Sequence, residues 1–262
     1  RTQITVAGDI EPSEVRDLIA SHFEAMPGGT DEPAAPSAPA VPQAAGVLLV
    51  NKSDTPQTWF RIGTTGPSWS DLDDYAATEI VRTVFGGRFT SWLNSALRIE
   101  AGLTYGAGFR MWRAGTAGEA AISSFTATET TRDAIDLALA QLDRLHEDGL
   151  SEQVLVSAKT YLRGQLPYEF ETATSIAARL AELKFRGVDR SHIDTLFDQI
   201  DAVTLDDCDA AIARWFRRDS LQITAIGVAG EVESVLAGYG PVRIRENSAP
   251  GFDPPAGSDE SR

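Results

Sequence analysis

Over residues 57–65 apolar and polar side chains alternate, with Trp59, Arg61 and Gly63 on one face and Phe60, Ile62 and Thr64 on the other. That period of two belongs to a strand, and residues 47–50 read as another. From Asp71 the period lengthens. Leu72, Tyr75, Ala76, Ile80 and Val84 fall at helical spacing until Gly86-Gly87 breaks the pattern. Phe89, Trp92, Leu93, Ala96 and Leu97 then form a second amphipathic stripe, which stops at Gly102. Strand-like runs follow at 105–112 and 119–127. Four helical patterns succeed them at 131–147, 151–166, 173–185 and 205–217. A strand at 221–228, a short helix at 231–237 and an edge strand at 242–245 complete the reading. Strands at both ends with helices between predict the α+β class, a mainly antiparallel sheet covered on one face by helices.

The chain before this unit has its own pattern. Residues 2–7 alternate Thr, Ile and Val like a short strand. A helix is expected to open at Glu11-Pro12, to carry Val15, Leu18, Ile19 and Phe23 on its apolar side, and to stop at Pro27. One strand and one helix bury no core. Residues 1–27 are therefore expected to be the last strand and helix of a similar upstream domain. The closing stretch "LQITAIGVAGEVESVL" echoes the opening "RTQITVAGDIEPSEVRDLI", which supports a repeated unit. The start at Arg1, without Met, fits a piece of a longer chain. Residues 28–45 carry Pro33, Pro36, Pro39 and Pro42 three apart and read as an extended linker. The expected divisions are thus 1–27, the linker 28–45, a domain over 46–246, and a Pro-rich acidic tail over 247–262 expected to be disordered.

Composition narrows the function. The longest apolar run, about 44–50, is far below the ~18–20 residues of a membrane span. A soluble protein, cytoplasmic or periplasmic, is expected. The single Cys208 excludes an internal disulfide and any multi-cysteine metal site, and its place in an apolar helical stripe reads as core. A net charge of −15 speaks against nucleic acid. It suits basic partners or substrates, or simply a well-solvated surface.

Self-contained chemistry is hard to find. His22, His146 and His192 each lack a second His three or four positions away, so all three read as surface or helix-end residues and no metal ligand is expected. The pieces "FGGRF" and "YGAGF" lack the spacing of a phosphate loop or a dinucleotide fingerprint, and no G-x-S-x-G elbow is present. From these residues alone no catalytic group is expected in this chain.

One stretch is informative as a whole: "VFGGRFTSWLNSALRIEAGLTYGAGF" at 84–109. Gly86-Gly87, Ser91-Trp92-Leu93-Asn94, Leu97-Arg98 and Gly102-Leu103-Thr104-Tyr105 match a pattern of Gly-Gly, Ser-Arg-Leu-Asn, Leu-Arg and Gly-(Leu/Tyr)-x-Tyr. The stretch resembles the C-terminal homologous domain of the pitrilysin/insulinase family of zinc metallopeptidases, which includes the mitochondrial processing peptidases. The likeness extends over some 200 residues, from the Pro-rich linker through "QTWFRIGTTGP" and "LPYEFETATSIAARLAELKFRG" to the closing strand.

The resemblance implies that zinc is held by H-x-x-E-H and a distal Glu on an N-terminal homologous domain. That motif is absent here, so zinc is expected on an upstream domain in cis or a partner subunit in trans. The resemblance further implies that Arg98 and Tyr105 bind substrate, closing over a peptide and donating to its carbonyl as charge develops. Without it, Arg98 reads as a helix-end cation and Tyr105 as a strand aromatic. Two positions depart from the family pattern. Trp92 replaces a frequent Arg and is expected to pack, and Ile99 replaces a frequent acid beside Arg98. The function implied is the substrate-clamping half of a zinc metalloendopeptidase. The rival is a non-catalytic scaffold or interaction subunit of the same family.

Overall fold

The computed structural model describes residues 2–29 and 41–249. Its centre is a six-stranded mixed sheet formed by β1 (Gly46–Asn51), β2 (Gln57–Gly66), β3 (Ala107–Trp112), β4 (Gly118–Ala127), β5 (Gln222–Gly227) and β6 (Val242–Glu246), in the spatial order β3-β4-β2-β5-β1-β6. The pairs β3–β4, β4–β2 and β2–β5 are antiparallel, while β5–β1 and β1–β6 are parallel. The α+β class and the predominance of antiparallel pairing agree with the sequence pattern. The parallel half is set by β5, which enters between the first two strands.

Helices cover one face of this sheet. They are α2 (Tyr75–Arg82), α3 (Trp92–Asn94), α4 (Thr131–Asp148), α5 (Glu152–Gln165), α6 (Ala173–Arg186), α7 (Ser191–Asp194), α8 (Leu196–Ala202), α9 (Leu205–Trp215) and α10 (Ala229–Leu236). The alternation of β2 works as its pattern requires: Phe60 and Ile62 are buried against the helices, while Trp59 and Arg61 stand on the uncovered face. Along α4 the buried stripe is Ala134, Ile135, Ala138, Leu139, Leu142 and Leu145. Phe85, Phe109 and Phe216 meet at the centre, with ring centroids 5.2, 4.7 and 5.8 Å apart. Such ring pairs add about 0.5–1.5 kcal/mol each beyond area burial. Cys208 is fully buried in α9, as its stripe predicts.

Several boundaries differ from the sequence reading, each for a local reason. The helix expected from Asp71 begins at Tyr75, because the Asp71 carboxylate accepts from Ser68 N (2.9 Å) and Ser68 Oγ (2.6 Å) in a preceding turn. Arg214 then ties Asp71 and Asp74 to α9, and Trp215 Nε1 donates to Asp74 at 2.7 Å. Helices α7 and α8 add to the elements the pattern predicts; they are short and lack a long periodic stripe. His192, expected at the surface, is 8% exposed in α7. It meets the Tyr75 ring edge-on at 4.6 Å.

The upstream helix α1 (Pro12–Phe23) forms as expected, with Pro in its first turn, and none of its residues is buried. The strand expected over residues 2–7 does not form. A strand exists only through a partner, and neither β3 nor β6, the edges of the sheet, pairs with this segment. Most of the expected linker, residues 30–40, and the tail from residue 250 lie outside the described residues. No helix among the described residues is long and apolar enough to cross a membrane.

Candidate functional site

Helix α2 does not end in an ordinary turn. It widens into a π-helical turn at Thr83–Gly87, and Gly86 presses against β3 so closely that a Cβ there would lie 2.1 Å from Phe109 N. Only glycine permits this approach. The chain reverses, and Ser91 caps α3 by accepting from Asn94 N at 3.4 Å. After one α-helical turn a second π-helical segment, Ser95–Glu100, carries Arg98. Wide turns of this kind are rare and concentrate at functional sites. The segment closes with Ala101 N donating to Ala96 O (3.0 Å), Leu103 N donating to Leu97 O (2.8 Å), and Gly102 at φ +64.

Arg98 and Tyr105 are brought together. The guanidinium carbon of Arg98 lies 4.4 Å from the Tyr105 ring centroid and 4.9 Å from that of Phe89. Arg98 thus sits between two aromatic rings, and it makes no hydrogen bond or ion pair among the described residues. Tyr105 is 76% exposed and Phe89 61% exposed, so the stack faces solvent. A guanidinium over a ring gains about 0.5–1 kcal/mol at such a site and keeps its N–H edges for a ligand. Tyr105 precedes β3 rather than opening it, and Phe89 precedes the Ser91 cap rather than lying on the apolar helical stripe. Trp92 packs against the core, with the Arg144 guanidinium 4.2 Å from its ring centroid. Ile99 is exposed.

What positions the stack is a residue the sequence reading quoted without a role. Asn94 is 5% exposed. Its Nδ2 donates to Phe89 O at 2.7 Å, and its Oδ1 accepts from Ala107 N at 3.3 Å. One side chain therefore ties the segment bearing Phe89 to the segment following Tyr105. On the other side, Thr126 Oγ1 donates to Leu103 O at 2.8 Å, and Ser124 Oγ donates to Gly106 O at 3.0 Å. A Ser cap three residues before an Asn was the available signal for the first of these contacts. Nothing in the sequence marked the second.

Beyond Gly106 the uncovered sheet face holds a groove of about 610 Å³ lined by Trp59, Arg61, Gly108, Arg110, Phe125 and Ile226. Trp59 and Phe125 stack at 4.3 Å. A larger cavity of about 810 Å³ lies between α2 and α7–α9, and includes Trp69, Asp73, Asp74, Asp189 and His192. Burial, with Arg179 and Arg113 beside it, lowers the His192 pKa from its ordinary value. His22 lies in the last turn of α1, and His146 Nε2 is 2.6 Å from Phe216 O at the end of α4. Among the described residues no group of three His, Cys, Asp or Glu could hold a metal ion. The donor set of the described residues does not fit zinc.

These features define an open α+β domain with a stacked Arg–Tyr pair, its tyrosine exposed, and an uncovered sheet face. The peptidase M16 inactive domain pattern matches residues 1–162, and the chain belongs to that family. No curated protein matches it. Among solved structures it is similar to a peptidase M16 inactive domain from Pseudomonas fluorescens, at 24% identity and TM-score 0.76, covering 84% of this chain and 52% of that one. It is also similar to a protease from Helicobacter pylori, at 18% identity and TM-score 0.74, over 84% and 54%. A chain of Complex III2 from Candida albicans aligns at 17% identity and TM-score 0.70, over 86% and 54%. The chain therefore spans about half the length of these three structures.

Proposed function

We propose that this chain is the C-terminal, substrate-clamping half of a zinc metalloendopeptidase, with the zinc site on an upstream homologous domain or a partner subunit. The observation that carries this reading is the Arg98–Tyr105 pair, stacked at 4.4 Å, with Arg98 half-buried beneath an exposed Tyr105. Arg98 is held by two rings and has no ion pair among the described residues. The arrangement fixes the guanidinium while leaving it able to donate to a peptide carbonyl, and the Tyr105 hydroxyl provides a second donor nearby. Donors fixed in advance favour the developing oxyanion, and losing one costs about 10²–10³ in turnover.

In this reading residues 1–27 complete the upstream domain, which accounts for an amphipathic α1 with no buried residue. The Pro-rich stretch 28–45 is then the linker between the halves. Membership of the family supports an N-terminal homologous domain as partner, and a peptide is the substrate. The second reading, a non-catalytic scaffold or interaction subunit, is favoured by the likeness to a chain of Complex III2 from Candida albicans. Arg98→Ala in the zinc-bearing assembly separates the two. The clamping role requires turnover to fall at least about 10²-fold with the fold intact, and unchanged turnover assigns the chain to the scaffold class.

A further inference from the structure

The uncovered sheet face departs from the charge of the whole. Register and strand alternation place Trp59, Arg61, Arg110, Glu119 and Phe125 on it, together with Arg243 and Arg245 of β6. Four arginines therefore share a face with one carboxylate, Glu119, in a chain of net charge −15. Glu119 is taken up by Arg61 at 2.9 Å. Arg110 and Arg243 have no carboxylate partner among the described residues. The stacked rings of Trp59 and Phe125 form the floor of the groove that Arg110 borders, and Trp59 is 50% exposed. That groove adjoins the Arg98–Tyr105 pair through Gly106 and Ala107.

We infer that this face selects the substrate: it takes an extended peptide segment in which an aromatic or large apolar side chain is flanked by carboxylates. The apolar side chain packs on the Trp59–Phe125 stack, and the flanking acids pair with Arg110 and, further along the sheet, Arg243. This names the substrate class for the site proposed above and rests on that reading. It reverses the preference for basic peptides expected from net charge alone. Screening decides which charge a peptide feels, because at physiological salt fields decay over about 8 Å. A bound segment therefore responds to the arginines beside it more than to acids on distant helices.

The test uses the full 262-residue chain and fluorescein-labelled decapeptides followed by anisotropy at 150 mM salt. One carries a central Phe flanked by Glu, a second the same Phe flanked by Lys, and a third Ala flanked by Glu. The Glu–Phe peptide is expected to bind at least about tenfold tighter than either of the others, a difference of about 1.4 kcal/mol. Trp59→Ala should weaken the Glu–Phe peptide to the level of the Glu–Ala one. Arg110→Glu combined with Arg243→Glu should invert the preference toward Lys, while Arg110→Lys preserves it and excludes a folding artefact. Equal or tighter binding of the Lys–Phe peptide overturns the inference, as does tighter binding of a single-stranded DNA 12-mer. Sedimentation showing a dimer that Trp59→Ala dissociates also overturns it, by assigning the face to a second copy. Binding to the chain and turnover of the assembly are read separately. Failure here leaves the Arg98 result standing, whereas failure of the Arg98 result leaves a peptide preference of this face but removes its role in selecting a substrate.

Discussion

Asn94→Ala removes a single side chain that joins both flanks of the Arg98 stack, and its cost follows from the two bonds it makes. The substitution frees the Phe89 carbonyl, held at 2.7 Å, and the Ala107 N–H, held at 3.3 Å, around a side chain 5% exposed. A buried polar group left unpaired costs about 1–3 kcal/mol. Because both orphaned groups lie near the surface, the lower end applies to each, and about 2–3 kcal/mol in total is expected. At roughly 2–4 °C per kcal/mol for a domain of this size, Tm should fall by about 5–10 °C in calorimetry. Asn94→Asp retains the acceptor for Ala107 N but aims a carboxylate at the Phe89 carbonyl, so it should destabilise comparably rather than rescue. With Phe89 and the segment around Tyr105 untethered, turnover in the zinc-bearing assembly should also fall, at temperatures where the variant is fully folded. A Tm within 1 °C of the unsubstituted chain would refute the bridging role. A lowered Tm with unchanged turnover would refute the claim that this bridge positions Arg98.

Tyr105→Phe keeps the ring over Arg98 and removes the hydroxyl, so it should lower turnover with no measurable change in Tm. Equal losses for Tyr105→Phe and Tyr105→Ala would show that the hydroxyl, not the stack, matters. Gly86→Ala places a Cβ 2.1 Å from Phe109 N and should cost about 3–5 kcal/mol. Gly102→Ala, at φ +64 in open space, should cost only about 1–2 kcal/mol, and denaturant midpoints rank the two. His192 is held neutral by burial, with Arg179 and Arg113 adding to the effect, so its folded pKa lies below its ordinary value of about 6.5. The unfolded chain then binds the extra proton first. Stability from this residue is therefore full above pH 6.5 and declines as pH falls toward the depressed value. His192→Phe should flatten that part of the urea-midpoint profile, and an unaltered slope would show that another group titrates. Burial pushes the Cys208 thiol up to about 12, so thiol reagents should label it only at the rate of unfolding.

Much of the fold was legible because its cause is local. The alternation over 57–65 became β2 with the faces as assigned, and the long stripes became α4, α5, α6 and α9 within a residue or two. Burial of one face is what selects such patterns, so the pattern reports the burial. At the site, the motif identified Arg98 and Tyr105, but their juxtaposition depended on contacts invisible in the string. Phe89 counts as an apolar helical position by spacing, yet the Ser91 cap leaves it outside the helix and under the guanidinium.

What the sequence by itself determined was the type and order of the longer elements, the buried stripes, the core position of Cys208 and the motif carrying Arg98 and Tyr105. Those depend on interactions within a few residues of chain. The tertiary structure alone decided that β5 enters between β1 and β2, making half of the sheet parallel, since no local property of residues 222–227 specifies neighbours some 160 residues away. It also decided that residues 2–7, strand-like in pattern, form no strand, because a ladder needs a partner and the pattern cannot supply one. The same holds for charge. A net −15 is a sum over the chain, whereas the four arginines on one sheet face are a fact of register.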